Sequence, residues 1–186
     1  MRKINSFQFM TLNGFLQGPN GDISWHKHRK DEETNQFAEE GAQSQSILLF
    51  GRVTYEMMAG YWPSPMAKQN DPKIADGMNK SEKIVFSNSM KNAEWENTKV
   101  VRGDIIQKMK EMKKAPGNNM TLLGSGSILS QFAENGLIDS FQIMLDPLAI
   151  GSGVSIFSQI SKQLNFKLID VKKFNSGVLL LNYEPS

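Results

Sequence analysis

Apolar and polar residues alternate from Ile4 to Met10, the period-two pattern of a strand with one buried face. Ile47-Leu48-Leu49-Phe50 and Ile84-Val85-Phe86 are apolar throughout. Short runs of that kind, closed by Gly51 and by Ser87-Asn88-Ser89, fit strands buried on both faces of a parallel sheet. Lys99-Val100-Val101, Met120 to Leu123 and Phe141 to Leu145 predict three more strands. Phe166 to Phe174 and Val178 to Tyr183 predict a hairpin turning at Asn175-Ser176-Gly177. Between these strands the period lengthens. Asp31 to Gln43 reads as a helix with acids in its first turn. Val53, Met57, Met58, Tyr61 and Trp62 recur at helical spacing until Pro63 and Pro65. Asp104 starts a helix carrying Ile105, Ile106, Met109 and Met112, and Gly124-Ser125-Gly126-Ser127 leads into one carrying Ile128, Leu129 and Phe132. Thr11 to Trp25 is expected as a long irregular loop, residues 64–81 as a short helix or an excursion, and residues 146–158 as a Gly-rich loop. Strand and helix alternate before a final antiparallel pair. The prediction is an α/β fold in one domain over residues 1–186: a mostly parallel twisted sheet, helices on both faces and a C-terminal antiparallel hairpin.

Composition narrows the function classes. The 186 residues are 39% hydrophobic and 22% charged, as expected of a folded globule. There is no cysteine, so disulfides and thiolate metal sites are excluded. His26 and His28 are the sole histidines, and no metal site is expected from them. A formal charge of +2 is too balanced to indicate nucleic acid or membrane partners. The basic stretch His26 to Lys30 meets Asp31-Glu32-Glu33 at once and reads as a solvated loop entering a helix. Neither a signal peptide nor a membrane-spanning run is present in the pattern, so a cytoplasmic location is expected.

Ligands of open α/β sheets bind beyond the carboxyl ends of the strands. Three strand ends carry suitable groups: Gly51-Arg52-Val53-Thr54, Ser87-Asn88-Ser89 and Gly124-Ser125-Gly126-Ser127. Glycine lets backbone amides approach a phosphate, and the helix that follows turns its positive end toward the anion. The turn at Gly124 matches part of a dinucleotide fingerprint, with Leu129 in place of the third glycine; the alternative is a plain tight turn. At Gly51, free amides, the Thr54 hydroxyl and the Arg52 guanidinium form a second candidate anion site; the alternative is a surface arginine at a helix start. Two separated phosphate sites suit a dinucleotide, and arginine in place of an acid points to NADPH over NADH. Trp25 is either a core aromatic or a substrate-facing wall. Glu33 and Phe37 share a helical face, and Glu33 is either a solvated acid or a proton donor.

These residues together resemble the dihydrofolate reductase-like family, specifically the bacterial branch related to the reductase domain of bifunctional riboflavin-biosynthesis enzymes. The resemblance rests on Thr11-Leu12-Asn13-Gly14-Phe15 with Gly18, on Leu49 to Glu56, on Lys83 to Ser87, and on Leu123 to Ser127 followed by Gly136-Leu137-Ile138-Asp139. Pro147 and Gly151-Ser152-Gly153 continue it. It implies a dihydrofolate reductase-like three-layer fold with NADPH across the carboxyl edge of the sheet. Arg52 and Thr54, with Ser87 and Asn88, would lie near the adenosine phosphates. Gly124 to Ser127, with Ile128 and Leu129, would hold the pyrophosphate, and the loop of Gly18 and Trp25 would close over nicotinamide and substrate. Asn13, Trp25 and Phe37 are the substrate-facing candidates, with Asn13 standing where relatives usually carry Asp. Glu33, Asp31 or an ordered water is the candidate proton source. A homodimer is also implied. The expected activity is NADPH-dependent hydride transfer to a small pterin- or pyrimidine-like heterocycle. The alternatives are a nucleotide-binding module without turnover and a structural dimer that has lost the cofactor.

Overall fold

The buried residues of the central strands β3 and β4 divide between two sides of one sheet. The computed structural model describes residues 1–27 and 31–186. The strands are β1 (Ile4–Thr11), β2 (Phe15–Gln17), β3 (Ile47–Gly51), β4 (Lys83–Phe86), β5 (Thr98–Val101), β6 (Met120–Leu123), β7 (Ser140–Asp146), β8 (Val154–Ser155), β9 (Phe166–Lys173) and β10 (Leu179–Pro185). The helices are α1 (Ser24–Lys27), α2 (Glu32–Ala42), α3 (Arg52–Tyr61), α4 (Pro65–Asn70), α5 (Pro72–Lys80), α6 (Ile105–Lys114) and α7 (Gly126–Glu134). Eight strands form one sheet in the order β5-β4-β3-β6-β1-β7-β10-β9. Its pairings are parallel from β5 to β7; β10 runs antiparallel to both β7 and β9. The expected fold class is therefore the observed one.

Side-chain alternation explains the layers. Ile47 and Leu49 of β3 face one side, and Leu48 and Phe50 the other; Ile84 and Phe86 of β4 oppose Val85 in the same way. The first side is covered by Met109 of α6 and by Ile128, Leu129 and Phe132 of α7. The second side holds two clusters. Tyr55 of α3, Met78 of α5 and Trp95 cover β3 and β4, while Phe37 of α2 packs with Phe7, Phe9, Met144 and Phe174 over β1, β7 and β10.

Three local expectations need correction. The segment from Thr11 to Trp25 is not irregular throughout: β2 pairs antiparallel with β8, inside the Gly-rich stretch expected as loop. Gly153 allows this, because a side chain there would collide with the carbonyl of Gln17. Strands of three and two residues are too short to show a period. In α3 only part of the apolar stripe faces the core: Met58 and Trp62 pack against it, and Val53 and Met57 do not. Val53 is 61% exposed, whereas Tyr55 is buried and its hydroxyl accepts the Trp95 N–H at 3.0 Å. Residues 64–81 fold as α4 and α5. Pro65 and Pro72 open these helices, since proline at the first turn forfeits no hydrogen bond. Of the basic stretch, His28, Arg29 and Lys30 lie outside the described residues.

Candidate functional site

β3 and β6 are neighbours, so the turns after them open side by side at the carboxyl edge. Ser125 joins them: its Oγ accepts the Gly51 N–H at 2.7 Å and donates to Thr54 Oγ1 at 2.9 Å. The two junctions thus open at one edge of the sheet and touch through Ser125. The glycines are needed for contact. A Cβ on Gly51 would come within 3.2 Å of Ser125 Oγ, and one on Gly124 within 3.2 Å of Thr54 Cγ2. A Cβ on Gly126 would meet Leu16 of β2 at 3.2 Å, which places the β2 segment over the start of α7. Gly124 and Ser125 both adopt the left-handed conformation, at φ 56° and 62°, and so turn β6 sharply into α7.

The helix starts are treated differently around the molecule. Asp31 caps α2, Ser64 caps α4 and Asp104 caps α6 through their side chains. Neither Gly51 nor Ser125 caps its helix in that way. The first amides of α3 and α7 therefore keep donors for an external anion at one shared edge. Ile128 and Leu129 point into the core, leaving their backbone, with exposed Ser127, at this edge. The Arg52 guanidinium pairs with Glu56 at 3.0 and 2.9 Å, both side chains being about half exposed. Ser87 and Asn88 follow β4, the next strand along. The Ser87 Oγ accepts the Met90 N–H at 3.0 Å, and Asn88 Oδ1 accepts the Gly103 N–H at 2.9 Å.

Beyond β1 the edge is made by loops. Asn13 holds residue 150 from both sides, donating to the Ile150 carbonyl at 2.8 Å and accepting its N–H at 3.3 Å. Gly18 is buried, and its N–H donates to the Asp22 carbonyl at 2.8 Å. Trp25 is buried and gives its indole N–H to the same carbonyl at 3.1 Å. Phe37 lies between Phe7 and Phe174, with ring centroids 6.0 and 5.9 Å away.

The two carboxylates singled out as proton sources are both engaged. Asp31 Oδ1 accepts the Thr34 N–H at 2.7 Å and Oδ2 accepts the Ser176 N–H at 2.6 Å. The Thr34 amide above all, with the Thr34 hydroxyl and the Ser176 amide, holds the Asp31 carboxyl below the usual carboxylate range. Glu33 lies 3.4 Å from Lys172 Nζ at the surface.

Sequence reasoning missed a third acid. Asp146 ends β7 with no solvent exposure, and its Oδ2 lies 2.8 Å from His26 Nδ1. The His26 ring stacks on Phe9 at 3.7 Å between centroids. The available signal was an acid two residues after Met144, in register with the buried side of its strand. A separate surface cleft of about 820 Å³ runs along α2 between Asp31, Glu39 and Lys73. Its other acids, Glu32 and Glu40, disfavour a phosphorylated ligand there. Among the described residues no three His, Asp or Glu side chains gather as a metal site, and no helix is long and apolar enough to cross a membrane.

Sheet order, layers and the glycine-built edge define an α/β protein of the dihydrofolate reductase-like class. The chain belongs to the RibD C-terminal domain family, whose model matches residues 2–180. Two uncharacterized proteins of Bacillus subtilis (strain 168) are similar to it. YyaP is 26% identical over 175 residues, covering 94% of this chain and 90% of the relative. YwjB is 22% identical over 179 residues, covering 96% of each. Among solved structures, a putative riboflavin biosynthesis protein from Shewanella sp. PV-4 superposes with a TM-score of 0.76 at 20% identity, over 99% of both chains. Dihydrofolate reductase from Enterococcus faecalis, solved with NADP(H) and RAB-propyl, superposes with a TM-score of 0.64 at 16% identity, over 99% of this chain and 96% of that one.

Proposed function

We propose that the protein is an NADPH-dependent reductase acting on a small pterin- or pyrimidine-like heterocycle. One observation carries the reading: two helix starts with unclaimed amides meet at a single carboxyl edge through Ser125, under the cover of Leu16. The residues fit a dinucleotide phosphate. Gly51, Gly124 and Gly126 leave backbone where a side chain would crowd its neighbours. The α7 start would take the pyrophosphate, and Arg52, Thr54, Ser87 and Asn88 the adenosine phosphates. Bound there, the cofactor supplies the hydride. Gly18, Trp25, Asn13 and Phe37 would shape the substrate end. Family membership and the solved neighbours support the same class of chemistry: one, from Thermotoga maritima, is described as a deaminase and 5-amino-6-(5-phosphoribosylamino)uracil reductase, and this chain covers 57% of it.

The test is a calorimetric titration of the wild-type protein and Arg52→Ala with NADPH and with NADH. NADPH is expected to bind more tightly, with the advantage shrinking about tenfold in the variant. Equal affinities in the wild type remove the role of Arg52. Stopped-flow loss of NADPH absorbance with dihydrofolate and with 5-amino-6-(5-phosphoribosylamino)uracil tests turnover. A second reading, NADPH binding without turnover, draws on the engagement of Asp31 and Glu33 elsewhere. It predicts tight binding and a flat stopped-flow trace. Pairing of two copies is supported by Leu168, Ile169 and Val171, which lie exposed on the edge strand β9. Light scattering at a monomer's mass would exclude it.

A further inference from the structure

We infer that His26 delivers the proton that accompanies hydride transfer, and that Asp146 is its positioning residue. This rests on the reductase reading above.

Asp146 makes the pair more than a surface contact. Its side chain is 0% exposed, and its Oδ1 has no hydrogen-bond partner among the described residues. Leaving a buried carboxylate oxygen unpaired is costly, about 1–3 kcal/mol or more. Folding alone gives no reason to keep an acid there. Its place in the fold suggests one. Asp146 lies beside Thr11 in the β1–β7 register, and the ring-bearing Phe9 is two residues back along β1. Phe7, two residues further back, accepts the Gly124 N–H through its carbonyl at 3.4 Å. Phe9 is thus about 7 Å beyond the level of the Gly124 turn, on the neighbouring strand.

The geometry sets the orientation of the imidazole. With Nδ1 directed at Asp146 Oδ2, the other ring nitrogen, Nε2, points away from the carboxylate. Among the described residues Nε2 makes no hydrogen bond, and the side chain keeps 16% of its surface exposed. Asp146 fixes the orientation of the ring through Nδ1, while Phe9 holds its face. The other acids on the elements around it are engaged. Asp22 Oδ1 accepts the Ser24 N–H at 2.8 Å, Asp31 is taken by Thr34 and Ser176, and Glu33 by Lys172.

The step balances simply. The carbon of a C=N or C=O bond gains a hydride from the reduced nicotinamide, and the π pair moves onto the heteroatom. The heteroatom takes the Nε2 proton of His26. Neutral His26 then recovers a proton from solvent, which restores the donor for the next turnover.

The experiment compares wild type, His26→Gln and Asp146→Asn, all as the full chain. With dihydrofolate and 5-amino-6-(5-phosphoribosylamino)uracil as probes, His26→Gln is expected to lower kcat about 100-fold, with KM and the NADPH Kd within twofold of wild type. The wild-type kcat/KM should fall as pH rises, and that falling limb should vanish in the variant. Asp146→Asn is expected to lower kcat about tenfold. A readout independent of turnover is the downfield, slowly exchanging imidazole Nδ1–H proton in NMR. It should be present in wild type and lost in both variants. If wild type turns over a probe and His26→Gln matches it in rate and pH profile, the assignment fails while the reductase reading stands. If wild type binds NADPH and reduces neither probe, the reductase reading fails and takes this one with it. If the downfield proton persists in Asp146→Asn, the positioning role is wrong.

Discussion

Two buried ionisable side chains sit at opposite edges of the sheet. Lys83 starts β4 at the amino edge with 1% of its surface exposed; Asp146 ends β7 at the carboxyl edge with none. Lys83 Nζ donates to the carbonyls of Asn79 at 2.9 Å and Ser81 at 2.6 Å and lies over the Trp95 ring at 4.5 Å. Asp146 has one oxygen on an imidazole and the other on nothing described. The same contrast runs along both edges. At the amino edge Asp139 Oδ2 receives both the Ile4 N–H and Lys113 Nζ. At the carboxyl edge the starts of α3 and α7 stay uncapped, and Gln8, though buried, leaves its Oε1 without a partner among the described residues. One edge closes its polar groups for stability. The other leaves several open, at a cost in stability that a ligand would recover.

The comparison breaks most sharply at Gly124. Valine there would force a positive φ on a β-branched residue and drive its Cβ toward Thr54. The expected result is at least a 100-fold rise in the NADPH Kd by calorimetry, with thermal unfolding still cooperative. A variant that binds NADPH normally would mean that the glycine junction is only a turn.

Lys83 sharpens the other half. Burial lowers its pKa from 10.5 to about 8, with Glu96 pulling weakly the other way. Burial favours the neutral amine relative to the unfolded chain, so between pH 8 and 10.5 the unfolded chain holds more protons. Stability from this group therefore rises as pH climbs through that window. Relative to Lys83→Met, the wild-type unfolding free energy should gain roughly 2 kcal/mol from pH 7 to 10 in urea titrations. NADPH affinity should be the same in both proteins. Parallel pH curves would show that Lys83 titrates as it does in water.

The two edges also differed in how well they could be read from sequence. Gly51, Arg52, Thr54 and the run from Gly124 to Ser127 announced themselves because each lies within a few residues of a strand end. Local spacing was enough. The contact between the two junctions was not legible, since it depends on β3 lying beside β6, a strand that begins far along the chain at Met120. His26 and Asp146 are 120 positions apart and meet only through the β1–β7 pairing and the fold of the intervening loop. Asp31 and Glu33 had the reverse fate. Their place in a helix start was plain, but that place is where Asp31 serves as a cap and Glu33 reaches Lys172. The β2–β8 ribbon was hidden because strands so short carry no period.

Arg52 gives the smaller effects. Its replacement by alanine, tested above, should cost about 1.4 kcal/mol of NADPH binding and leave NADH unchanged. Its partner Glu56 makes the subtlest change. The Arg52–Glu56 pair is a half-exposed i,i+4 contact, worth at most about 1 kcal/mol. It nevertheless opposes a bound phosphate, because the same guanidinium donors would have to turn from a carboxylate to the anion. Glu56→Gln keeps the helix and removes the competing charge. The expected outcome is a two- to threefold tighter NADPH Kd at low salt, fading toward wild type at high salt as screening takes over. NADH, without the extra phosphate, should not respond. A gain shared equally by both cofactors would mean that Glu56 acts through the general charge of the edge, and Arg52 would then lose its claim to discriminate between them.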